Sequence, residues 1–521
     1  MQSVTARGGQ IVGVEGARTR EFPWVAGVAL VTFLLHGLTS GGYGYFRDEF
    51  YYLACSDRLA AGYVDHPPLS IWLLAGSRWL LGDSLLALHF LPALATALLV
   101  LVTGHLTRVL GGGRWAQALA AVAAAVAPVY LVVGNFYSMN AFEPLLWTVG
   151  ALIVVHLIHT DDARWWLALG LVIGLGLENK HSMLFFGLGL SVAVVATPLR
   201  RHLFRRWVWL GALVALVLFL PNLLWQFRYG FPTLEFMRNA QLFKNAPLSL
   251  TQFVGQQILM VHPVTLPLWL AGLCWYFATS AGRRYRALGW IYVVVFALLV
   301  LQRGKAYYLA PAYPPLLAAG AIAFATWTDR RARWLRSAYL ALLLAGGFVL
   351  APLGLPILPA DTLVGYARAL GVQEGVKAET NELGQLPQHF ADMFGWSEMV
   401  DTVADVYNRL PADDRARCAI YAQNYGEAGA IDFLGRTHGL PHALSGHNNY
   451  WLWGPGNVTG EVVIVVGGSA ADLAGFCETV EQVAVTHCRY CMPFENNRPI
   501  FLCRNHQGRL QQIWAQLKRY I

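Results

Sequence analysis

Apolar residues run in long blocks through the first two-thirds of the chain, and polar residues collect in the gaps between them. A bilayer's hydrocarbon core is about 30 Å thick, so a spanning helix needs about 20 mostly apolar residues. The blocks predict about eleven spans, near 24–40, 85–103, 116–133, 145–158, 165–178, 183–198, 207–225, 263–279, 287–301, 306–327 and 337–355. The first block lacks a small-residue cleavage site and leads into a polar stretch rich in tyrosine, so it reads as a span rather than a removed leader. Two gaps are long, 41–84 and 226–262. Each mixes aromatics, charges and proline, and each is expected to hold helices lying along the membrane surface.

The pattern changes beyond residue 355. Residues 461–467 form an apolar run ending in glycine, which predicts a buried strand, and Cys418–Ala422 predicts a shorter one. Residues 396–410 have helical periodicity, and a second helix is expected over 470–480. The fold expected is an α-helical polytopic membrane domain, 1–355, followed by an extracytoplasmic α/β domain, 356–521.

Composition narrows the class. Hydrophobic residues make up 56 % of the chain and charged residues 13 %, about half the usual charged share. Mean hydropathy is +0.44. A soluble protein of 521 residues this poor in charge could not cover its surface, and disorder or a coiled coil is excluded on the same ground.

Charge then sets orientation. Up to residue 354 there are 26 Lys and Arg against 13 Asp and Glu; beyond it there are 12 against 17. The net charge of +8 therefore reflects arginines flanking spans, and nucleic acid is not an expected partner. With the N-terminus in the cytoplasm, Arg7, Arg18, Arg20, Arg108, Arg114, Arg164, Arg200, Arg201 and the arginines of 283–286 and 330–336 all fall on the cytoplasmic side. That satisfies the positive-inside rule. An odd number of spans then places 356–521 outside the cytoplasm.

Five of the seven cysteines lie in the tail. An oxidising compartment favours disulfides among them, with connectivity open. Cys488-Arg-Tyr-Cys491, beside His487, also has metal-knuckle spacing. Zinc and unpaired thiols stand as alternatives there.

Long ordered loops on one side of a bundle are where chemistry is expected. The first reads Arg47-Asp48-Glu49 among aromatics, then Asp65-His66-Pro67-Pro68-Leu69. Adjacent carboxylates at the edge of hydrocarbon are costly unless paired or functional. The double proline fixes two φ angles and holds the preceding residues extended. A solvated loop and a helix-entry turn are the plainer readings of these two motifs.

Together the motifs resemble the membrane-embedded glycosyltransferases of family 39, the protein O-mannosyltransferase type, with the lipid A aminoarabinose transferases as relatives. Asp48-Glu49 matches an early acidic pair and Asp65 to Leu69 an acidic residue before Pro-Pro-Leu. Lys305-Ala-Tyr307-Tyr308, with Pro311, is similar to the entry into a late span. The segments 424–433 and 445–455 are similar to bacterial members' outer domains.

The resemblance implies a GT-C-type enzyme. Such enzymes transfer a sugar from a polyprenyl-monophosphate carrier to a hydroxyl of a protein, lipid or glycan, with inversion. A hydroxyl needs a base, and Asp48 is the residue implied, with Glu49 orienting it or pairing with a cation. The leaving phosphate needs positive charge or hydroxyls. No Asp-x-Asp occurs, so no metal or other cofactor is expected; Arg303, Lys305, Tyr307 and Tyr308 are assigned this work. An interfacial belt is the alternative reading for that group.

His66 stands where the aminoarabinose transferases carry lysine, and Asp65 is expected to contact sugar or a cation. Lys180 is expected in a tight outer turn, reaching the donor phosphate or pairing with Glu178. His262 and the Asn140–Glu143 pair complete the candidates. His36, His89, His105 and His156 read as histidines satisfying local hydrogen bonds, and Gly170 and Gly174 as a close helix contact. The rival readings are a polyprenyl-linked glycan polymerase or ligase and, less favoured, a lipid-linked-glycan transporter.

Overall fold

The computed structural model describes residues 23–372, 379–506 and 510–521. Arg7, Arg18 and Arg20 lie outside these. The helical part runs α1 (Pro23–Thr39), α2 (Arg47–Ser56), α3 (Leu69–Leu81), α4 (Leu85–Val109), α5 (Arg114–Ala125), α6 (Pro128–Gly134), α7 (Met139–Thr160), α8 (Trp165–Asn179) and α9 (Met183–Ala196). It continues with α10 (Arg206–Arg228), α11 (Pro232–Asn239), α12 (Leu250–Met260), α13 (Leu266–Ala278), α14 (Arg286–Leu301), α15 (Tyr313–Arg331) and α16 (Trp334–Gly354).

Among the described residues, six helices are long and apolar enough to cross a membrane, or up to nine if each bent pair forms one span. α5 and α6 make one such pair, bent by 60°. The break follows from Pro128, which opens α6 and keeps Ala127 extended (ψ 120°). α1, α3 and α8 are shorter apolar helices. Every predicted span overlaps an observed helix, and the two long gaps carry α2 with α3, and α11 with α12.

Small residues set how closely the helices approach. A Cβ on Gly170 of α8 would lie 2.1 Å from the Gly211 carbonyl oxygen of α10, and one on Gly174 would lie 2.7 Å from Leu218. The expected close contact is thus between α8 and α10.

The tail begins with α17 (Ala360–Ala369), α18 (Gln388–Ala391), α19 (Trp396–Arg409) and α20 (Ala412–Arg417). It then builds a five-stranded sheet in the order β2-β1-β3-β5-β4, from β1 (Cys418–Ala422), β2 (Ala443–Leu444), β3 (Val462–Val466), β4 (Cys477–Val485) and β5 (Pro499–His506). β1 pairs parallel with β2 and β3, while β5 runs antiparallel to β3 and β4. Between β1 and β2 lie α21 (Tyr425–Leu434) and the 3-10 turn Gly435–His438; α22 (Asn449–Trp453) follows β2.

β1, β3 and α19 fall where the pattern predicts them. The helix expected over 470–480 does not form. A single turn at Ala470–Leu473 gives way to β4, whose residues pair with β5. A disulfide joins Cys477 to Cys503 across that pair, whereas Cys418, Cys488 and Cys491 are free.

Candidate active site

The site is built around α2. Its first turn carries Arg47, Asp48 and Glu49. Successive helical side chains diverge by about 100°, so the two carboxylates face different surroundings. Glu49 is wholly buried. Its Oε2 accepts from the Phe46 N–H (2.8 Å). Its Oε1 takes the Tyr137 N–H (2.6 Å) and the His89 Nε2 (2.8 Å). Glu49 therefore ties α2 to α4 and to the approach to α7. Of the two roles expected for Glu49, orienting Asp48 or pairing with a basic side chain, the contact with His89 fits the second.

Asp48 points the other way, with about a third of its side chain exposed. Its Oδ1 accepts from the Tyr425 hydroxyl (2.8 Å) and lies 3.5 Å from the Arg47 Nε. Tyr425 opens α21 of the tail. It reaches Asp48 because α21 presents glycines to α2. A Cβ on Gly426 would meet Arg47 Cγ at 2.4 Å, and one on Gly429 would meet the Phe50 backbone at 2.7 Å. Larger residues at either position would hold the two helices apart.

A second group surrounds Arg47. Asp392 lies 3.6 Å from its guanidinium, and Glu379 is close enough to raise its charge affinity. Glu379 accepts from the Lys305 Nζ (2.9 Å) and lies 3.7 Å from that of Lys244. Burial alone would raise the Glu379 carboxyl, but Lys244, Lys305 and Arg47 outweigh it and hold it well below the usual range. Asp392 behaves oppositely: burial pushes it up to about 6, against the pull of Arg47. The Lys305 ammonium also lies within electrostatic reach of Asp48.

Behind these, the Lys180 Nζ donates to Asn140 Oδ1 (2.8 Å) and to Glu143 Oε2 (2.7 Å). It also sits over the rings of Tyr308 (4.5 Å) and Tyr307 (5.5 Å). Glu143 takes a further hydrogen bond from Ser182. The acidic partner of Lys180 is thus Glu143 on α7 and not its near neighbour Glu178.

The Pro-Pro turn forms the third wall. The Tyr51 hydroxyl donates to Asp65 Oδ1 (2.8 Å) and lies 3.0 Å from the Asn449 amide oxygen. That oxygen also takes the Val64 N–H (2.7 Å), so the tail pins this loop directly. Burial raises the Asp65 carboxyl, and His66 and Tyr51 offset only part of the effect. His66 is wholly buried and stacked on Tyr52 (4.7 Å between centroids). Its Nδ1 lies 3.0 Å from the Pro67 carbonyl oxygen, which it serves as a donor, and its Nε2 lies 4.0 Å from Asp65 Oδ1.

Two expected members stand apart. Arg303 is exposed on a turn (φ 51°), and among the described residues it makes no ion pair. The turn needed to reverse the chain after α14 carries it outward. His262, also at positive φ (84°), accepts from the Val264 N–H (3.2 Å). A Cβ on Gly346 of α16 would touch its ring at 2.7 Å. It caps the bend between α12 and α13.

Lys244, Glu379, Asp392 and Tyr425 were not singled out by sequence. The first three come from separate loops with no shared motif. Tyr425 had a signal, the glycines at 426 and 429 on one helical face. Beside the Asp48 group, Arg47, Lys244, Glu379, Tyr425, His447 and Arg498 help line a cavity of about 380 Å³ roofed by the tail. Among the described residues no group of three or more His, Cys, Asp or Glu could hold a metal ion.

Residues 65–225 match the sequence model of the family described as dolichyl-phosphate-mannose-protein mannosyltransferase. That stretch contains the Asp65–Pro68 turn and Lys180. ArnT from Cupriavidus metallidurans, solved in the apo state, superposes with a TM-score of 0.59 at 16 % identity, over 92 % of this chain and 98 % of ArnT. ArnT bound to undecaprenyl phosphate gives the same TM-score and identity, over 92 % of this chain and 97 % of ArnT. The fold is of the GT-C type. No curated protein matches the chain by sequence. The GT-C likeness extends through the tail as well as the helices, because the superposition covers nearly the whole of both chains.

Proposed function

We propose that this chain is an integral-membrane glycosyltransferase that moves a sugar from a polyprenyl-monophosphate carrier to a hydroxyl acceptor. Asp48 takes the proton of the acceptor hydroxyl, the oxygen attacks the anomeric carbon with inversion, and the lipid phosphate departs. The observation that carries the reading is the position of Asp48. It is the partly exposed carboxylate of a buried loop, held by Tyr425, with Lys305 within electrostatic reach.

Each side of the reaction has residues of fitting chemistry. Lys180, Lys305, Tyr307 and Tyr308 offer two ammonium groups and two hydroxyls to a leaving phosphate. Asp65, His66 and Tyr51 offer hydrogen-bond partners to sugar hydroxyls. The tail-roofed cavity is the route for the acceptor, and the tail selects it. The proposed topology has eleven crossings, the N-terminus in the cytoplasm and residues 356–521 outside a bacterial cytoplasmic membrane.

The test uses purified protein, a defined polyprenyl-phosphate sugar and a hydroxyl acceptor. Asp48→Asn is expected to keep donor binding and lose transfer. Full transfer by that variant would overturn the base assignment, and no donor consumption by the wild-type chain would overturn the activity itself.

A further inference from the structure

The loop between β4 and β5 carries Cys488 and Cys491, with two residues between them. The Cys491 N–H donates to Cys488 Sγ (3.1 Å), and Cys491 Sγ lies 3.4 Å from the Cys488 carbonyl oxygen. The two cysteines thus close a single turn on one another. Gly395, at the N-cap of α19, leaves the room for them: a Cβ there would lie 3.0 Å from Cys488 Sγ and 3.4 Å from Cys491 Cβ. Cys488 is partly exposed while Cys491 is buried. The remaining disulfide, Cys477–Cys503, is buried at both ends.

We infer that Cys488 and Cys491 are a reversible thiol–disulfide exchange site, separate from the transferase chemistry, with Cys488 as the sulfur that meets an external disulfide. The outer partner is a disulfide-bearing thiol oxidoreductase. As a thiolate, Cys488 attacks one sulfur of the partner's disulfide. That S–S bond breaks, and the departing sulfur takes a proton. Cys491 then attacks Cys488 Sγ, the internal bond forms, and the second partner sulfur leaves as a thiol. Two electrons pass to the partner, and the two cysteine protons end on its two thiols.

Several features support this direction of attack. A helix N-terminus beside a thiol favours its anion. The hydrogen bond with Cys491 brings the Cys488 thiol down to about 7, against burial and the nearby Glu398 carboxylate. The same hydrogen bond, with burial, raises Cys491, which suits a second, resolving sulfur that acts only after the first bond forms. The loop matters to the rest of the molecule. Its Glu495 takes a hydrogen bond from Asn424 (3.0 Å) and its Arg498 bonds Glu427 (3.0 Å), so it braces the helix that brings Tyr425 to Asp48.

The experiment uses the full chain in detergent, with oxidised glutathione as probe and alkylation read by mass spectrometry. Cys488 and Cys491 should lose their alkylatable thiols together. Mild reductant should reopen that bond at least about tenfold faster than Cys477–Cys503, because exchange follows access and strain. In Cys491→Ser a glutathione adduct should accumulate at Cys488; in Cys488→Ser none should form at Cys491. Thiols that stay alkylatable in the wild-type chain would overturn the inference. So would a bond that opens only in denaturant, or stoichiometric zinc at the pair. If a serine variant fails to fold, the wild-type measurement alone decides.

Discussion

α2 has two faces, and they do different things. The inner face carries Glu49 and Tyr52. Glu49 is spent on Phe46, His89 and Tyr137, and the Tyr52 hydroxyl accepts from the Met139 N–H. The outer face carries Arg47, Asp48 and Tyr51, which meet Asp392, Tyr425 and Asn449 of the tail. One face anchors the helix to the bundle; the other meets the tail, and its Arg47 lines the cavity. Two adjacent carboxylates in sequence thus face different surroundings in the fold. Glu49, with both oxygens engaged and buried, holds the helix that presents the partly exposed Asp48.

Five substitutions test this contrast, from the largest effect down. Asp48→Asn should lower turnover by about 10²–10⁴-fold, the usual worth of a general base, with an unchanged melting temperature; an inactive but also unfolded variant would blur the two faces. Glu49→Ala should do the reverse. It leaves His89 and the Tyr137 N–H without their buried partner, at a cost of about 3–5 kcal/mol, read as a lowered melting temperature in detergent. Tyr425→Phe removes one hydrogen bond to a carboxylate, worth about 1.5–3 kcal/mol. Turnover should fall at least about tenfold while donor affinity holds, and equal losses in both would place Tyr425 with the donor.

The fourth test uses pH. Asp392 keeps its proton up to about pH 6 in the folded chain against 3.8 as the ordinary value. Its contribution to stability is complete below the ordinary value and is lost as pH rises through about 6. Stability should decline by about 1–3 kcal/mol across that window, and Asp392→Asn should flatten the decline. Glu379, depressed rather than raised, contributes stability that is lost only as pH falls below its ordinary 4.5, so above that value the decline is free of it. Last, Arg303→Ala should change turnover and stability by no more than about 0.5 kcal/mol; a large loss would return Arg303 to the phosphate group.

The helical bundle was legible because hydrophobic length is a local property, and so were β1, β3 and α19. The helix expected at 470–480 failed for a related reason. Local periodicity could not register that Cys477–Val485 would pair with β5, some 20 residues on. Within the site, Asp48 and Asp65 stood out through motifs and Lys180 through the polar break it makes in an apolar stretch. The fate of Glu49 was not legible, because it depends on His89 and Tyr137, each supplied by a distant segment. The Lys244–Glu379–Asp392 group was invisible for the same reason, and Arg303 was misplaced because spacing cannot show which way a tight turn throws its side chain.

The glycine face of α21 has a consequence for exchanging parts between related enzymes. Because Gly426 and Gly429 meet Arg47 and Phe50 with no slack, the tail is not a portable module. A graft of a foreign tail would need residues 47–50 transplanted with it, and chimeras cut at the end of α16 should assemble poorly unless both sides of that seam share an origin.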